Sequence, residues 1–276
     1  MADLIENRKK TPKFAPEKPK SDMKTAIVTG ATSGIGEACA RQLAKAGYRI
    51  ILTGRNPERL EAIREWFNTE IGKEGEAYFV LQFDVRDRKA AQEAIANLPE
   101  GWKEIDVLVN NAGLALGLEP EYEGDYQDWD TMIDTNIKGL LTMTREIVPG
   151  MVKRGRGHVV NIGSVAGDAA YAGGNVYCAT KSAVKAITDG LRIDVADTEI
   201  RVTLIKPGLV ETHFSNVRFH GDDARADNVY KGIHPLCGDD IADAVVYCVQ
   251  APKHVQVAEM LILATHQANG SIIKRK

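Results

Sequence analysis

Three side chains near the middle of the chain have the types and spacing needed for proton transfer. Tyr177 and Lys181 are four residues apart, so on a helix they would lie one turn apart on the same face. A neighbouring ammonium favours the phenolate, so we expect the pKa of Tyr177 to fall below its usual value of about 10. Ser164 follows a β-rich run, at the place where a strand's carboxyl end meets a ligand crevice. Alone, a Tyr and a Lys at this spacing also describe an ordinary exposed helix pair.

The composition is that of an ordinary globular protein. The 276 residues are 44% hydrophobic and 26% charged with a formal net charge of −3, which gives no electrostatic reason to expect nucleic acid or a membrane surface as a partner. No apolar run approaches the roughly 18 residues of a membrane span, and the N-terminus lacks the apolar stretch of a signal peptide. The four cysteines form no C-x-x-C pair, which favours reduced thiols in the cytoplasm.

The chain changes character at residue 23. Residues 1–22 are polar, with three prolines, six basic and four acidic residues, and we expect an N-terminal extension that forms no core of its own. Residues 23–276 alternate short β-rich runs with helical patterns, which predicts one α/β domain. Its fold would be a doubly wound parallel sheet with helices on both faces. The seven predicted strands are residues 24–29, 49–53, 77–82, 106–110, 158–162, 201–206 and 255–263.

A glycine-rich segment follows the first predicted strand and precedes a helical pattern that begins at Glu37. Glycines at this place permit a tight turn and let the backbone approach a pyrophosphate, while the helix N-terminus offers free N–H groups. A P-loop is excluded, because Glu37 and Ala38 stand where Lys and Ser or Thr would be needed. The segment therefore predicts a Rossmann fold and dinucleotide binding by Gly30, Thr32, Ser33, Gly34, Ile35 and Gly36.

The end of the second predicted strand indicates which dinucleotide binds. A carboxylate there would bind the 2′-hydroxyl of the adenosine ribose in NAD(H), but Arg55 stands at this place, with Arg59 nearby. A guanidinium suits the 2′-phosphate of NADP(H), because it pairs with phosphate through two parallel hydrogen bonds. The alternative is a solvated Arg at the start of a helix. We expect NADP(H).

Six motifs in this order resemble those of the short-chain dehydrogenase/reductase family. They are T-G-x-x-x-G-I-G at 29–36, N-N-A-G at 110–113, Asn136 in a predicted helix at 129–143, Ser164, Y-x-x-x-K at 177–181, and P-G-x-x-x-T at 207–212. The resemblance implies hydride transfer between the nicotinamide of NADP(H) and a carbonyl or alcohol. It also implies a homotetramer, because members of the family usually assemble as tetramers.

The same resemblance implies a role for each motif. Tyr177 would be the general acid or base, and Lys181 would lower its pKa and bind the nicotinamide ribose. Ser164 would donate to the substrate oxygen, and Asn136 would hold a water that passes protons to Lys181. Further cofactor contacts would come from Asp84 and Val85 near the adenine, from Asn111, Ala112 and Gly113, and from Pro207, Gly208, Val210 and Thr212.

The segment at residues 211–236 is long and polar enough to be a lid or a substrate-binding loop. Arg218 lies in it between apolar residues and could be an anion clamp or an ordinary salt-bridged surface residue. Several stretches resemble the branch of the family that oxidises small 3-hydroxy acids, including serine and allo-threonine. That resemblance implies a small anionic substrate bound by Ser164, Tyr171, Asn175 and Arg218.

Two other functions stay open from the sequence. One is an NADPH-dependent reductase of uncharged ketones, sugars or acyl substrates, in which Arg218 would be structural. The other is a regulator that binds NADP(H) without turnover, although a binder has no need for the Ser-Tyr-Lys set. Acyl transfer is disfavoured because Ser164 is not in a G-x-S-x-G elbow, and the lack of H-E-x-x-H disfavours a catalytic metal, so we expect no metal site.

Overall fold

One parallel sheet organises the part of the chain described by the computed structural model, residues 23–275. The strand order is β3-β2-β1-β4-β5-β6-β7, and every neighbouring pair is parallel, so the predicted seven-stranded doubly wound sheet is confirmed. The predicted extension at 1–22 lies outside the described residues. The strands are β1 (Thr25–Val28), β2 (Arg49–Gly54), β3 (Tyr78–Gln82), β4 (Val107–Asn110), β5 (Arg156–Ile162), β6 (Glu199–Pro207) and β7 (Glu259–Ile262).

Helices cover both faces of the sheet, and residues 23–275 contain none long and apolar enough to cross a membrane. The predicted lid at 211–236 is more ordered than a loop, since it holds two of the shorter helices. The α-helices are α1 (Gly34–Lys45), α2 (Pro57–Glu70), α3 (Arg88–Ala96), α4 (Tyr126–Ile133), α5 (Leu140–Arg154), α6 (Asn175–Asp194), α7 (Phe214–Arg218), α8 (Asp223–Tyr230) and α9 (Gly238–Gln250).

Alternate side chains of the strands face two separate apolar clusters, as the period of two in a strand requires. On one face, Ile27 of β1 packs in a cluster with Met143 and Ile147 of α5. On the other face, Val28 of β1 packs in a cluster with Leu43 of α1 and further residues of α9. Because both faces are covered, the strands read as nearly continuous apolar runs in the sequence.

The last strand is shorter than predicted: β7 spans Glu259–Ile262, whereas the sequence pattern indicated 255–263. Before Glu259, residues outside regular secondary structure provide hydrogen-bond partners for β6 in place of a paired strand. The side chain of Gln256 accepts a hydrogen bond from the Val202 N–H at 2.8 Å, and the Val257 carbonyl accepts one from Thr203 at 2.7 Å. The apolar pattern of this segment therefore reflects packing against the core rather than a ladder.

The topology creates a crevice at the carboxyl end of β1. This strand pairs with β2 on one side and β4 on the other, so the connections leave it in opposite directions. In doubly wound sheets, such a switch point is where ligands bind. The Gly-rich turn after β1 and the N-N-A-G segment after β4 meet there.

A buried histidine lies in the middle of β5. The Nε2 atom of His158 is 2.8 Å from the Thr203 hydroxyl, and that hydroxyl donates to the Val257 carbonyl, so Nε2 must be the donor. The Nδ1 atom has no hydrogen-bond partner among the described residues. Burial, with a contribution from nearby Arg201, lowers the pKa of His158 from 6.5 to about 3.

This histidine predicts a specific loss of stability in acid. Below pH 6.5 the unfolded chain binds a proton at His158, whereas the folded chain binds it only near pH 3. The free energy of unfolding therefore falls as the pH decreases from 6.5 to about 3. At pH 4.5 we expect a loss of about 2–3 kcal/mol relative to pH 7 from this residue, measurable by urea unfolding. His158→Gln should remove that part of the pH dependence, and the exposed His254→Gln should not. An equal acid loss in wild type and His158→Gln would contradict the assignment.

Candidate active site

A cavity of about 690 Å³ opens at the carboxyl ends of the strands. It brings together residues from five of the six sequence motifs, although these are spread over nearly two hundred positions. Three predicted site residues, Gly36, Asn136 and Asn175, do not line it. The predicted residues that do line it are Gly30, Thr32, Ser33, Gly34, Ile35, Arg55, Asp84, Val85, Asn111, Ala112, Gly113, Ser164, Tyr171, Tyr177, Lys181, Pro207, Gly208, Val210, Thr212 and Arg218.

The glycine turn is built to bring backbone close to a ligand. Gly30 has a left-handed backbone with φ of 65°, which glycine adopts without strain. Helix α1 begins at Gly34, and the Ser33 side chain does not cap it, so the N–H groups of its first turn remain available to an anion. Gly36 serves packing instead, because a Cβ there would collide with the Gly30 carbonyl and the Asn111 amide.

A threonine hydroxyl ties the glycine turn to the N-N-A-G segment. The Thr29 hydroxyl accepts hydrogen bonds from the N–H groups of Asn111 and Ala112, both at 3.0 Å. In return, the Asn111 amide donates to the carbonyls of Thr29 at 2.9 Å and Gly30 at 3.2 Å. The first asparagine, Asn110, donates to Asn161 of β5 at 2.9 Å. The asparagines thus fix the crevice, and the smaller residues after them form its wall.

A basic and an acidic side chain face each other at the end of the cavity nearest β2 and β3. The Arg55 guanidinium is 56% exposed and lies 3.4 Å from a carboxylate oxygen of Asp84, a loose contact. Arg86, which the sequence did not single out, holds Asp84 more firmly, at 2.8 Å. Burial raises the pKa of Asp84, but the hydrogen bonds from Arg86 outweigh it and hold that pKa below its usual value. Arg55 therefore retains donors for an anionic ligand.

Asn136 lies in a π-helical segment, Asp134–Gly139, which interrupts the predicted helix between α4 and α5. Its amide donates to the Leu114 carbonyl at 2.8 Å and to the Thr180 hydroxyl at 3.0 Å, and its oxygen accepts from the Leu114 N–H at 2.9 Å. Both N–H donors are therefore committed to protein atoms. Through these bonds Asn136 joins the segment after β4 to α6, and only the free lone pair of its oxygen is left for a water.

Ser164, Tyr177 and Lys181 meet in the cavity. Tyr177 and Lys181 lie in the first two turns of α6, with the Lys181 Nζ atom 5.9 Å from the centre of the Tyr177 ring. Lys181 donates to the Ile162 carbonyl at 2.9 Å, which holds the ammonium at the end of β5. Ser164 follows the same strand and lines the same cavity. The hydroxyl, the phenol and the ammonium therefore lie at one end of the cavity, and their catalytic roles stay a prediction.

The lowered pKa predicted for Tyr177 is not found in the protein alone. Burial and the nearby Tyr171 phenol raise the pKa of Tyr177, while the Ser164 hydroxyl and the charge of Arg218 lower it by less. Burial also lowers the pKa of Lys181, to about 8. Sequence spacing captures the charge beside the phenol but not the cost of removing both groups from water, which here dominates.

Arg218 lies in the cavity wall, at the end of the cavity where Tyr177 lies. Its guanidinium carbon lies 5.8 Å from the centre of the Tyr177 ring, and its Nη1 atom donates to the Tyr171 hydroxyl at 2.9 Å. Its Nε atom donates to the Gly117 carbonyl at 3.1 Å. Among the described residues, Arg218 has no carboxylate within ion-pair distance and its Nη2 atom has no hydrogen-bond partner. A cation with a free donor therefore borders the Tyr177 phenol.

Asn175 is the exception among the predicted substrate residues. It is the first residue of α6, and its side-chain oxygen accepts a hydrogen bond from the neighbouring Val176 N–H at 2.7 Å. It borders a small pocket beside Trp129 instead of the main cavity, and Tyr177 and Arg218 border that pocket as well. The role in substrate binding that the family resemblance implies for Asn175 stays a prediction.

The short turn that follows Ser164, called the serine turn below, is supported by ion pairs of the buried Lys206, which no sequence motif indicated. Lys206, at the end of β6, donates to both carboxylate oxygens of Asp168, at 2.8 and 3.0 Å, and pairs with Glu259 of β7. Asp168 closes the short 3-10 turn that begins at Ser164. The Ser164 hydroxyl also lies 3.5 Å from the carbonyl of Pro207, the residue after Lys206. The three charges thus fix the serine turn against the end of the sheet.

The C-terminal part of the described chain completes the cavity, although no sequence motif indicated it. Gln267 is buried, and its side-chain oxygen accepts a hydrogen bond from the Leu209 N–H at 2.9 Å. Tyr230 at the end of α8 donates to the Val210 carbonyl at 3.0 Å. Together they hold the Pro-Gly turn after β6, where Thr212 lies against Gly34 of the glycine turn.

Known proteins resemble the chain along most of its length. The family model for the short chain dehydrogenase matches residues 24–223. The NADP-dependent 3-hydroxy acid dehydrogenase YdfG of Salmonella typhi is 49% identical over 243 residues, 88% of this chain and 95% of the relative. The serine 3-dehydrogenase of Agrobacterium fabrum is 43% identical over 244 residues, again 88% and 95%.

A solved structure agrees in the fold as well as the sequence. The closed form of serine dehydrogenase complexed with NADP⁺ superposes with a TM-score of 0.85 and 45% identity, covering 91% of this chain and 99% of the other. The resemblance inferred from the six motifs is thereby confirmed, and the chain belongs to the short-chain dehydrogenase family.

Proposed function

We propose that the protein is an NADP(H)-dependent oxidoreductase that transfers a hydride between the nicotinamide and a small 3-hydroxy acid or the matching semialdehyde or ketone. The observation that carries this proposal is the guanidinium of Arg218, which lies beside the Tyr177 ring and has no carboxylate partner among the described residues, in a cavity large enough for a dinucleotide. A cation next to a proton donor fits a substrate that has a carboxylate close to the carbon that reacts. Relatives named for 3-hydroxy acids and serine support the same substrate class.

The residues present fit NADP(H). The N–H groups at the start of α1 would bind the pyrophosphate, and Arg55 would bind the 2′-phosphate, since its guanidinium is half exposed and only loosely paired with Asp84. Asp84 and Val85 would border the adenine. Lys181 would bind the nicotinamide ribose with the donors that remain beyond its bond to Ile162. When bound, NADP(H) supplies or accepts the hydride.

The protein's own residues handle the proton and the developing charge. Because burial raises its pKa, Tyr177 holds its proton at neutral pH and can donate it to the carbonyl oxygen as that oxygen becomes an alkoxide. Ser164 would donate a hydrogen bond to the same oxygen. Oxidation of the alcohol runs the same path backwards, with Tyr177 taking the hydroxyl proton. The Lys181 ammonium beside the ring then favours the phenolate that this direction requires.

Arg218 would orient the substrate through its carboxylate. Its Nη2 atom is free, and Tyr171, whose pKa burial raises, keeps a neutral hydroxyl against Nη1. A carboxylate bound here would lie on the same side of the cavity as Tyr177. A one-carbon spacer between carboxylate and alcohol, as in a 3-hydroxy acid, would then bring the reacting carbon to the phenol.

One observation favours a second candidate, a reductase of uncharged carbonyl compounds. Arg218 already donates to the Gly117 carbonyl and to the Tyr171 hydroxyl, as a purely structural arginine would. In that case its charge would shape the cavity wall without touching substrate. The two functions differ in how activity depends on a carboxylate in the substrate.

Initial rates of NADP⁺ reduction separate the two. We expect serine, allo-threonine or 3-hydroxypropionate to give values of kcat/KM well above those of propanol or 2-butanol, which carry no carboxylate. Higher rates with the neutral alcohols would favour the second candidate. A chain that binds NADPH but turns over none of these compounds in either direction would revive the regulator.

The choice between cofactors gives a separate prediction for Arg55. Arg55→Asp removes the cation proposed for the 2′-phosphate and places a carboxylate there, which repels that phosphate and accepts a bond from the NAD(H) ribose. We expect the affinity for NADPH to fall by about 10- to 100-fold, while that for NADH stays equal or improves. Dissociation constants from nucleotide fluorescence would measure both. Lys89→Asp is the surface control, because the Lys89 side chain on α3 is 86% exposed and does not line the cavity; parallel losses for both nucleotides in Arg55→Asp would contradict the assignment.

We also propose that the protein assembles as a homotetramer in the cytoplasm. Leu141 and Val152 of α5 are 44% and 47% exposed and lie on one side of that helix, and Ile193 of α6 is 76% exposed. These exposed apolar side chains support the proposal that another copy of the chain covers this surface in the tetramer. The cysteines, none of which forms a disulfide, support a reducing compartment. Light scattering should give four times the 30.1 kDa chain mass, and a monomer at micromolar concentration would contradict the tetramer.

A further inference from the structure

One polar group in the cavity wall has no partner. Thr135 lines the cavity and is 7% exposed, and its hydroxyl oxygen is fully buried without a hydrogen-bond partner among the described residues. A buried hydroxyl left unpaired costs free energy, so such groups in native proteins usually signal a missing ligand or water.

The backbone around Thr135 explains why its hydroxyl is free. Two buried or half-buried threonines on regular helices bind their own backbone: Thr144 donates to the Leu140 carbonyl at 2.8 Å, and Thr188 donates to the Val184 carbonyl at 2.6 Å. Thr135 lies in the π-helical segment Asp134–Gly139, where the widened turn changes the position of the carbonyls behind it. Its hydroxyl makes no such bond, and it remains able to donate and accept.

Neighbouring contacts place Thr135 near the end of the cavity where Asp84 lies. Gly139, one turn further on, packs so closely on Val85 that a Cβ there would come within 2.7 Å of that side chain. On the other side of Thr135, the charge of Asp134 acts on Arg86, which holds Asp84. The packing of Gly139 and the charge interaction of Asp134 therefore place the segment around Thr135 beside Asp84 and Val85.

We propose that the Thr135 hydroxyl is a binding group for the adenosine half of NADP(H), forming a hydrogen bond to its adenine or its ribose. This inference rests on the proposed function, because it assigns a further residue to the proposed cofactor site. The neighbouring Asn136 side chain does not compete for this role, since its amide is committed to Leu114 and Thr180. The π-helical segment thus serves two purposes, bracing α6 with one residue and binding the cofactor with the one before it.

Thr135→Val tests the proposal because it removes the hydroxyl while preserving the shape of the side chain. Without nucleotide, we expect its melting temperature to equal or exceed that of wild type, since an unpaired buried hydroxyl is replaced by a methyl group. With nucleotide, we expect the Kd for NADPH to rise by about three- to tenfold, the loss of one neutral hydrogen bond. Adenosine 2′,5′-bisphosphate, which carries the adenosine half alone, should lose affinity by the same factor.

Two further variants make the result specific. Thr135→Ser keeps the hydroxyl and should restore NADPH binding to within about twofold of wild type. Thr69→Val is the control, because the Thr69 hydroxyl donates to the Glu65 carbonyl of its own helix and does not line the cavity; it should leave the Kd unchanged. If Thr135→Val fails to fold, Thr135→Ala provides the same Kd comparison.

Three results would overturn the inference, and they are separable from failure of the proposed function. Wild type that binds NADPH while Thr135→Val binds it equally well would remove Thr135 from the site. A loss for NADPH without a loss for adenosine 2′,5′-bisphosphate would exclude the adenosine half. Failure of Thr135→Ser to restore binding would exclude the hydroxyl. If wild type itself fails to bind NADPH, the proposed cofactor is wrong, whatever the variants do.

Discussion

Tyr177→Phe is expected to reduce kcat by at least about 10³-fold while leaving the Kd for NADPH within about twofold of wild type. The phenol is the proposed proton donor, and removing one hydroxyl leaves the ring, its contact with Phe214 and the rest of the cavity in place. Steady-state rates in both directions and NADPH fluorescence would measure the two effects.

A matched control is available on the surface. Tyr122 is 85% exposed and does not line the cavity. Tyr122→Phe should therefore leave both kcat and the Kd for NADPH unchanged. Turnover by Tyr177→Phe at more than about a tenth of the wild-type rate would show that another group carries the proton. Loss of NADPH binding in Tyr177→Phe would instead indicate that the substitution disturbs the cavity itself.

Arg218→Met should lower kcat/KM for a 3-hydroxy acid by about 10- to 100-fold, mostly through KM, because it removes a charge-assisted hydrogen bond to the carboxylate. The methionine side chain retains most of the apolar volume. Activity on a neutral alcohol, however low, should not fall by the same factor. That contrast distinguishes an anion-binding arginine from one that only shapes the wall.

The structural bonds of Arg218 require their own control. Its loss also removes the donors to the Gly117 carbonyl and the Tyr171 hydroxyl, so the Kd for NADPH and the melting temperature should be measured for the same variant. Tyr171→Phe removes one of those bonds and keeps the guanidinium, and we expect it to retain most of the activity. Equal losses with acids and neutral alcohols in Arg218→Met would assign the residue a structural role.

Local sequence patterns were sufficient to predict the sheet and the glycine turn. The strands β1, β2, β4, β5 and β6 are mostly buried runs of β-rich residues, and covering both faces of the sheet makes such runs continuous. The turn at Gly30 and Gly34 needs positive φ angles, which leave a direct trace in the residue type. The length of strand β7 was overestimated because, in a sequence, apolar residues that only pack against the core look the same as apolar residues of a paired strand.

Features that depend on burial or on distant segments could not be predicted. The raised pKa of Tyr177 comes from removing the phenol from water, which spacing along a helix does not report. Arg86, Gln267 and the Lys206 ion pair act on the site from elements far apart in sequence, without a motif. Asn175, which the family resemblance assigned to the substrate, borders the smaller pocket beside Trp129 instead of the main cavity, a placement that no local pattern reports.

Transfer of an isotope label tests the proposed reaction most directly. Incubating the protein with NADP⁺ and 3-hydroxypropionate deuterated at carbon 3 should move deuterium to carbon 4 of the nicotinamide, detected by mass spectrometry of the reduced nucleotide. Tyr177→Phe should give no labelled nucleotide under the same conditions. Label transfer from a deuterated neutral alcohol, with none from the acid, would contradict a 3-hydroxy acid as the substrate.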